Sequence, residues 1–294
     1  LGLATAALVS ACGGGGDDAA PAVTPPHVDT TVNTSGRLSL AENASKSLRV
    51  LDLDTGNVEA TYQLDNPPSA LAASAGGRYV TAVQRLQDQV QFVDGGVWQE
   101  DHVDHLHDYK QASRLVGWKL AGARPTHFDV QPGKQAAFFM DGNAAATPVQ
   151  NASVQLITDA SIATGNTVAS LNLTMPIHGL GEPVDNKLLT VYRAPDAADA
   201  QPTHLELYQR AGSGYTLERR VATRCNGMHG SFSSGNYTVA GCTAGVLLYN
   251  HSATAAVTDQ KLTTAVRVST LAGHAKLPGQ FIGFGNEGVA PAAT

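Results

Sequence analysis

Histidine is the side chain in this sequence best suited to chemistry, and it is unevenly placed. The 294 residues contain 10 His beside 19 Lys plus Arg. Three fall in one short stretch, Asp101-His102-Val103-Asp104-His105-Leu106-His107-Asp108. Neutral imidazole offers a nitrogen lone pair that suits zinc, and a carboxylate can complete a tetrahedron around the ion. His102, His105 and His107 are therefore candidate metal ligands. Asp104 is a candidate fourth ligand or an acceptor for an imidazole N–H. The plain alternative is a solvated polar loop rich in His.

A second set is defined by spacing. His127 lies in Arg124-Pro125-Thr126-His127-Phe128-Asp129, His178 in Met175-Pro176-Ile177-His178-Gly179-Leu180, and His229 in Asn226-Gly227-Met228-His229-Gly230-Ser231. An interval of 51 residues separates His127 from His178 and again His178 from His229. Pro67-Pro68-Ser69-Ala70 and Leu277-Pro278-Gly279-Gln280 look like weaker copies, which puts unit starts near 67, 125, 176, 227 and 278. A side chain held at one position of successive units converges with its equivalents, so His127, His178 and His229 are also candidate ligands. Asp129 and Glu182 are possible ligands or anionic partners, and His274 could join. The alternative is that each His only hydrogen-bonds backbone at its unit start. His27, His204 and His251 fit neither pattern.

The elements that must position these residues are strands. Leu48-Arg49-Val50-Leu51-Asp52-Leu53, Gln89-Val90-Gln91-Phe92-Val93, Ser153-Val154-Gln155-Leu156-Ile157-Thr158 and His204-Leu205-Glu206-Leu207-Tyr208 alternate with period two. Each leads to a Gly-marked segment read as a hairpin turn: 54–57, 94–96, 164–166 and 212–214. No three-turn amphipathic helix is expected. Four strands per repeat of about 50 residues is the pattern of a propeller blade. The expected fold is all-β: a β-propeller of four-stranded blades over 37–294, incomplete, with about five blade starts. The stretch from Gly96 to Pro125 exceeds the equivalent Gly56–Pro67 and Gly165–Pro176 intervals by 18 residues, so the His-rich segment is an insertion. Val116–Leu120 is then the returning strand. An insertion between third and fourth strands emerges at the face opposite the blade starts. There are then either two metal sites or a loop that folds into the central channel to meet the other His. The second arrangement is favoured slightly.

Residues 1–12 read as the tail of a signal peptide, and Val9-Ser10-Ala11-Cys12 resembles a bacterial lipobox with Cys12 as the lipidated residue. Residues 13–36, rich in Gly, Ala, Pro and Thr, read as a disordered tether. The apolar run is too short to span a bilayer. The protein is expected on the periplasmic side of a bacterial membrane, attached only through the lipid on Cys12. Export permits a disulfide, which makes Cys225 and Cys242 a candidate pair; free buried thiols and soft metal ligands are the rival readings. A net charge of -6 excludes the electrostatic footprint of a nucleic-acid binder. A charged fraction of 15% with 30 Gly and 14 Pro excludes a coiled coil.

Four motifs in order then bring a family into view. They are the Asp101-His102-x-x-His105-x-His107 loop, the Pro125-x-His127-Phe128 start, His178-Gly179-x-Gly181-Glu182-Pro183, and the Cys225…His229-Gly230…Gly241-Cys242 unit. Together they resemble the AztD-type periplasmic zinc metallochaperones of bacteria, over roughly residues 40–290. The resemblance implies a β-propeller that binds Zn2+ and passes it to the periplasmic solute-binding protein of a zinc ABC importer. The lipoprotein-like N-terminus and the missing late blades depart from that pattern.

The expected function is accordingly a non-enzymatic zinc carrier. Imidazoles must be neutral to bind metal, so affinity should fall below about pH 6. Copper and nickel also favour imidazole. A metal-dependent hydrolase or lactonase is a second reading, with Glu182 as the loose candidate for a general base; no nucleophile elbow or zincin helix is present. A propeller scaffold with purely structural His is the third.

Overall fold

The computed structural model describes residue 32 and residues 34–101, 106–198, 200–252, 258–274 and 276–286. Cys12, His27, His102, Asp104 and His105 lie outside these residues. Apart from one 3-10 turn (Arg85–Gln87) and one six-residue helix, the regular elements described are strands. No helix among the described residues is long and apolar enough to cross a membrane.

The strands form successive antiparallel sheets, the blades of a β-propeller. The first holds β1 (Arg37–Glu42), β2 (Ser47–Asp52) and β3 (Val58–Gln63). The second holds β4 (Ala70–Ala73), β5 (Tyr79–Gln84), β6 (Gln89–Asp94) and β9 (Arg114–Ala121). Between its last two strands a hairpin is inserted, β7 (Val97–Asp101) and β8 (Leu106–Lys110). The third blade is β10 (Pro125–Gln131), β11 (Gln135–Met140), β12 (Ser153–Ile157) and β13 (Ala169–Asn172). The fourth is β14 (Gly181–Val184), β15 (Lys187–Tyr192), β16 (His204–Ala211) and β17 (Gly214–Arg220). The fifth is β18 (Ser231–Ser234), β19 (Tyr237–Cys242), β20 (Gly245–Asn250) and β21 (Asp259–Leu262), and β22 (Arg267–Gly273) with β23 (Phe281–Asn286) begins another.

The core lies between blades rather than inside any one of them, and β11 shows why. Its six residues, Gln-Ala-Ala-Phe-Phe-Met, are all buried. Successive side chains of a strand point to opposite faces. Phe138 therefore packs with Tyr79, Phe92 and Met140 toward the second blade, while Phe139 packs with Val154, Leu189 and Val191 toward the fourth. A strand covered on both faces reads as a continuous apolar run, whereas β20 at a more open blade alternates buried and half-buried.

Two sequence expectations need correction. After Thr158 the chain forms helix α1 (Asp159–Thr164) instead of turning directly. Thr158 caps it by accepting from the Ser161 amide, the Ser161 hydroxyl accepts from the Thr158 amide in return, and Gly165 ends it at positive φ. The last unit start is not at Leu277–Gln280, which forms the turn between β22 and β23; the inner strand begins at Arg267. The fifth blade is shorter than the second, third and fourth, so a fixed spacing overshoots. Val116–Leu120, by contrast, lies within β9 as expected, and the inserted segment is the β7–β8 hairpin.

Cys225 and Cys242 are joined, with Cα atoms 5.4 Å apart, and both are fully buried beside Met228 and Ala240. Closing a loop of 17 residues restricts the unfolded chain by about 3 kcal/mol in the chain-entropy account. The Cys225→Ser/Cys242→Ser variant should lose about that much stability in urea unfolding. An unchanged midpoint would show that the bond contributes nothing.

Candidate metal centre

The three repeated histidines meet. Strand register places the starts of β10, β14 and β18 at one end of their blades, where the chain crosses from one blade to the next. His127 is the third residue of β10, and His178 and His229 sit just ahead of β14 and β18. Their ring centroids are 4.8 Å (His127–His178), 5.0 Å (His178–His229) and 5.3 Å (His127–His229) apart. One ring nitrogen from each falls within 4.8 Å of the others, and all three residues are half-buried.

The outer nitrogens of two rings are already committed. His178 Nδ1 lies 3.0 Å from Asp141 Oδ2, and His229 Nδ1 lies 2.9 Å from the Ser269 carbonyl. Both partners only accept, so both Nδ1 atoms carry the proton and both Nε2 atoms present a lone pair. His127 Nε2 faces His178 Nε2 at 3.1 Å. Only a proton or a cation can hold two such nitrogens together. Ligand nitrogens on tetrahedral zinc stand about 3.3 Å apart, given Zn–N of about 2.0–2.1 Å. The donor set fits zinc after small ring movements.

The electrostatics favour neutral imidazole. Burial, reinforced by His178 and His229, lowers the His127 pKa to about 4. Burial alone would raise Asp141, but the hydrogen bond and charge of His178 hold its carboxyl below the usual range. Arg85 also holds it, with Nη2 2.8 Å from Asp141 Oδ2, and Arg85 is itself fixed by the Arg124 carbonyl and the Thr126 hydroxyl. Asp141 is thus a charged acceptor that orients His178, and the sequence reading missed it. It follows β11, far from any His in the chain, and comes near because the Ile177 amide, next to His178, donates to its carbonyl at 3.0 Å. An Asp141→Asn variant should bind zinc about 10–100-fold more weakly, the usual effect of losing such a partner. Titration against a chromophoric chelator measures this, and an unaltered affinity would remove Asp141 from the site.

Two glycines admit this packing. A Cβ on Gly179 would overlap Val191 and Phe139, and one on Gly230, at φ +69°, would overlap the Ser269 carbonyl that holds His229. The His-Gly pairs of the sequence are therefore positional requirements.

The other candidates stand elsewhere. Asp129 accepts from the Gly181 amide at 3.1 Å, and Glu182 is 2% exposed. Burial raises both carboxyls, and the Glu182 charge pushes Asp129 further up. Neither is in the group of three His. His274 follows β22 at the opposite end of the blades, where its Nδ1 accepts from the Lys276 amide, so it does not join. His251 is half-buried against Thr238, with Nε2 2.7 Å from its hydroxyl. The β7–β8 hairpin also leaves from the opposite end, because β6 ends and β9 begins there. His107 lies on it opposite Glu100, and its base is tied to the first blade by Lys110, 2.6 Å from Asp52 and 2.7 Å from Asp54. Trp98 and Tyr109 stack across it at 4.9 Å.

Burial lowers His251 to about 4 as well. Both folded values lie below the unfolded value of about 6.5, so the folded state binds fewer protons between them. The stability these residues contribute is complete above about pH 6.5 and is lost as pH falls toward about 4. The metal-free protein should show a thermal midpoint that is level from neutral upward and drops in that window. His127→Gln/His251→Gln should flatten the drop, and an identical drop in that variant would refute the assignment.

Fold and site together define a β-propeller that gathers three imidazoles at one blade end. In sequence and structure the chain is similar to the zinc chaperone AztD of Citrobacter koseri. It is 28% identical to that curated relative over 227 residues, 77% of this chain and 50% of the relative. The structure of apo AztD from Citrobacter koseri matches with a TM-score of 0.68 at 26% identity, covering 85% of this chain and 65% of that one. A second crystal structure of Citrobacter koseri AztD matches with a TM-score of 0.68 at 27% identity, covering 85% and 64%. The chain thus spans half the length of the curated relative. No family model matches it.

Proposed function

We propose that this protein is a zinc carrier that holds Zn2+ at His127, His178 and His229 and delivers it to the solute-binding protein of a zinc ABC importer, without catalysing a reaction. The convergence of three imidazoles, two with Nδ1 tied back so that Nε2 faces inward, carries this reading. Likeness to a protein named a zinc chaperone supports it. Three neutral ligands on a half-exposed rim suit a cargo that must leave, since the His178 side chain keeps 34% of its surface exposed. A closed thiolate cage would hold it more firmly. In this reading His107 belongs to a separate site, since the β7–β8 hairpin that carries it leaves the other blade end, while His102 and His105 lie outside the described residues. The protein works on the periplasmic side, tethered through Cys12, where the Cys225–Cys242 bond would persist.

The test is competitive transfer. Zinc-loaded protein is mixed with the metal-free solute-binding protein in the presence of excess EDTA. Direct delivery should leave zinc on the acceptor despite the chelator. Complete loss of zinc to EDTA would refute direct delivery, and absence of stoichiometric zinc binding would refute the carrier itself.

A further inference from the structure

One guanidinium reaches toward two of the three histidines from a blade that carries neither. Arg85 opens the 3-10 turn (Arg85–Gln87) between β5 and β6 of the second blade. His127 belongs to the third blade and His178 to the lead into the fourth. Arg85 Nη2 lies 2.8 Å from Asp141 Oδ2, the oxygen that also faces His178 Nδ1. Arg85 Nη1 donates to the Arg124 carbonyl at 3.0 Å and to the hydroxyl of Thr126, the residue before His127. The Asp141 amide donates to the same Arg124 carbonyl at 3.1 Å, which joins the two sets of contacts.

The backbone leading to His127 is held against its own preference. Arg124 stands at φ +56°, a conformation uncommon for any residue but glycine. Its amide donates to Asp88 Oδ1 at 2.8 Å, and its carbonyl accepts from Arg85 and Asp141. The Gly122 amide donates to the Asp88 carbonyl at 2.9 Å. The turn and Asp88, which ends it, thus grip residues 122–126, the crossing into β10. Such backbone persists only where the surroundings over-determine it. The charge of Arg85 cannot serve to attract Zn2+, which it repels. What Arg85 offers the site is shape, since a planar fork meets the carboxylate, the carbonyl and the hydroxyl at once and an ammonium does not.

We propose that Arg85 is a positioning residue of the metal centre: from the second blade it fixes Asp141 behind His178 and the backbone that carries His127, so that both imidazoles keep their aim. The effect of this brace on zinc rests on the proposed function; the brace itself does not.

Arg85→Lys keeps the charge and removes the fork. In the metal-free full chain, nitrogen-15 NMR of the imidazoles reads the tautomer of each ring. Wild type should hold the proton on Nδ1 of both His178 and His229. Arg85→Lys should turn His178 into a mixture of tautomers and leave His229 as it was, because the Ser269 carbonyl is untouched. Zinc affinity, read by chelator competition, should fall about tenfold, the lower end of the range for losing a group behind a ligand. In an Asp141→Asn background the same change should cost clearly less, because the two act in one network. Arg78 pairs with the fully buried Asp94 in the same blade, so Arg78→Lys should lower the urea midpoint and keep the wild-type tautomers. Unchanged tautomers and affinity in Arg85→Lys would overturn the proposal. So would mixed tautomers at His229 as well, the same change in Arg78→Lys, or an undiminished effect beside Asp141→Asn. The two readings fail separately. Tautomers that change as stated in a protein that takes up no zinc keep the brace and remove the carrier, while equally tight zinc binding by wild type and Arg85→Lys removes the brace alone.

Discussion

His178→Ala should lower zinc affinity by about two orders of magnitude. Structural zinc sites with four ligands gain roughly 10–16 kcal/mol in all, so each ligand contributes about 3 kcal/mol, and every 1.4 kcal/mol is tenfold. His178 is the ring whose loss should be felt most clearly. It contacts both other histidines and is the one oriented by a carboxylate. A His178→Ala/His229→Ala variant leaves one imidazole and should show no tight binding. His102→Ala/His105→Ala/His107→Ala should retain it. Chelator competition at pH 7.5 or thereabouts measures all three, and affinity should decline below about pH 6 as imidazoles take up protons. A double variant that still binds tightly would exclude the blade-end triad. A hairpin variant that loses tight binding would place the main site at the opposite end.

Phe139→Ala should cost about 3–5 kcal/mol of folding stability, the usual range for emptying a buried aromatic site. Phe139 has no exposed surface and joins the third blade to the fourth. Its ring also lies against Gly179, so the vacated space opens beneath the residue that follows His178. Zinc affinity should therefore fall with stability, although Phe139 touches no ion. Phe138→Ala faces the second blade, so it should match the stability loss while leaving zinc affinity nearer wild type. Urea unfolding with and without zinc separates the two effects. If both variants lost affinity equally, the coupling through Gly179 would be wrong.

The sequence by itself determined the architecture and the identity of the three converging rings. Period-two strands, Gly-marked turns and an equal interval between His127, His178 and His229 require repeated blades, and a repeat carries equivalent positions to equivalent places. The inserted hairpin was legible for the same reason, because one interval was too long. Tertiary structure alone decided which groups hold the rings. Asp141 reaches His178 because the segment before β14 bonds its carbonyl through the Ile177 amide, and Ser269 reaches His229 because Gly230 admits its carbonyl. Neither partner leaves a periodic trace, since each contact is made once, by whichever strand end lies alongside. Spacing also misplaced the last blade start and proposed His274, because blade length is not fixed by the chain's repeat but by how short its loops can close. The carboxylates nearest in sequence, Asp129 and Glu182, are not in the cluster. Asp129 shares a face of β10 with His127 yet turns to the Gly181 amide, so only packing between blades chooses which charge meets which ring.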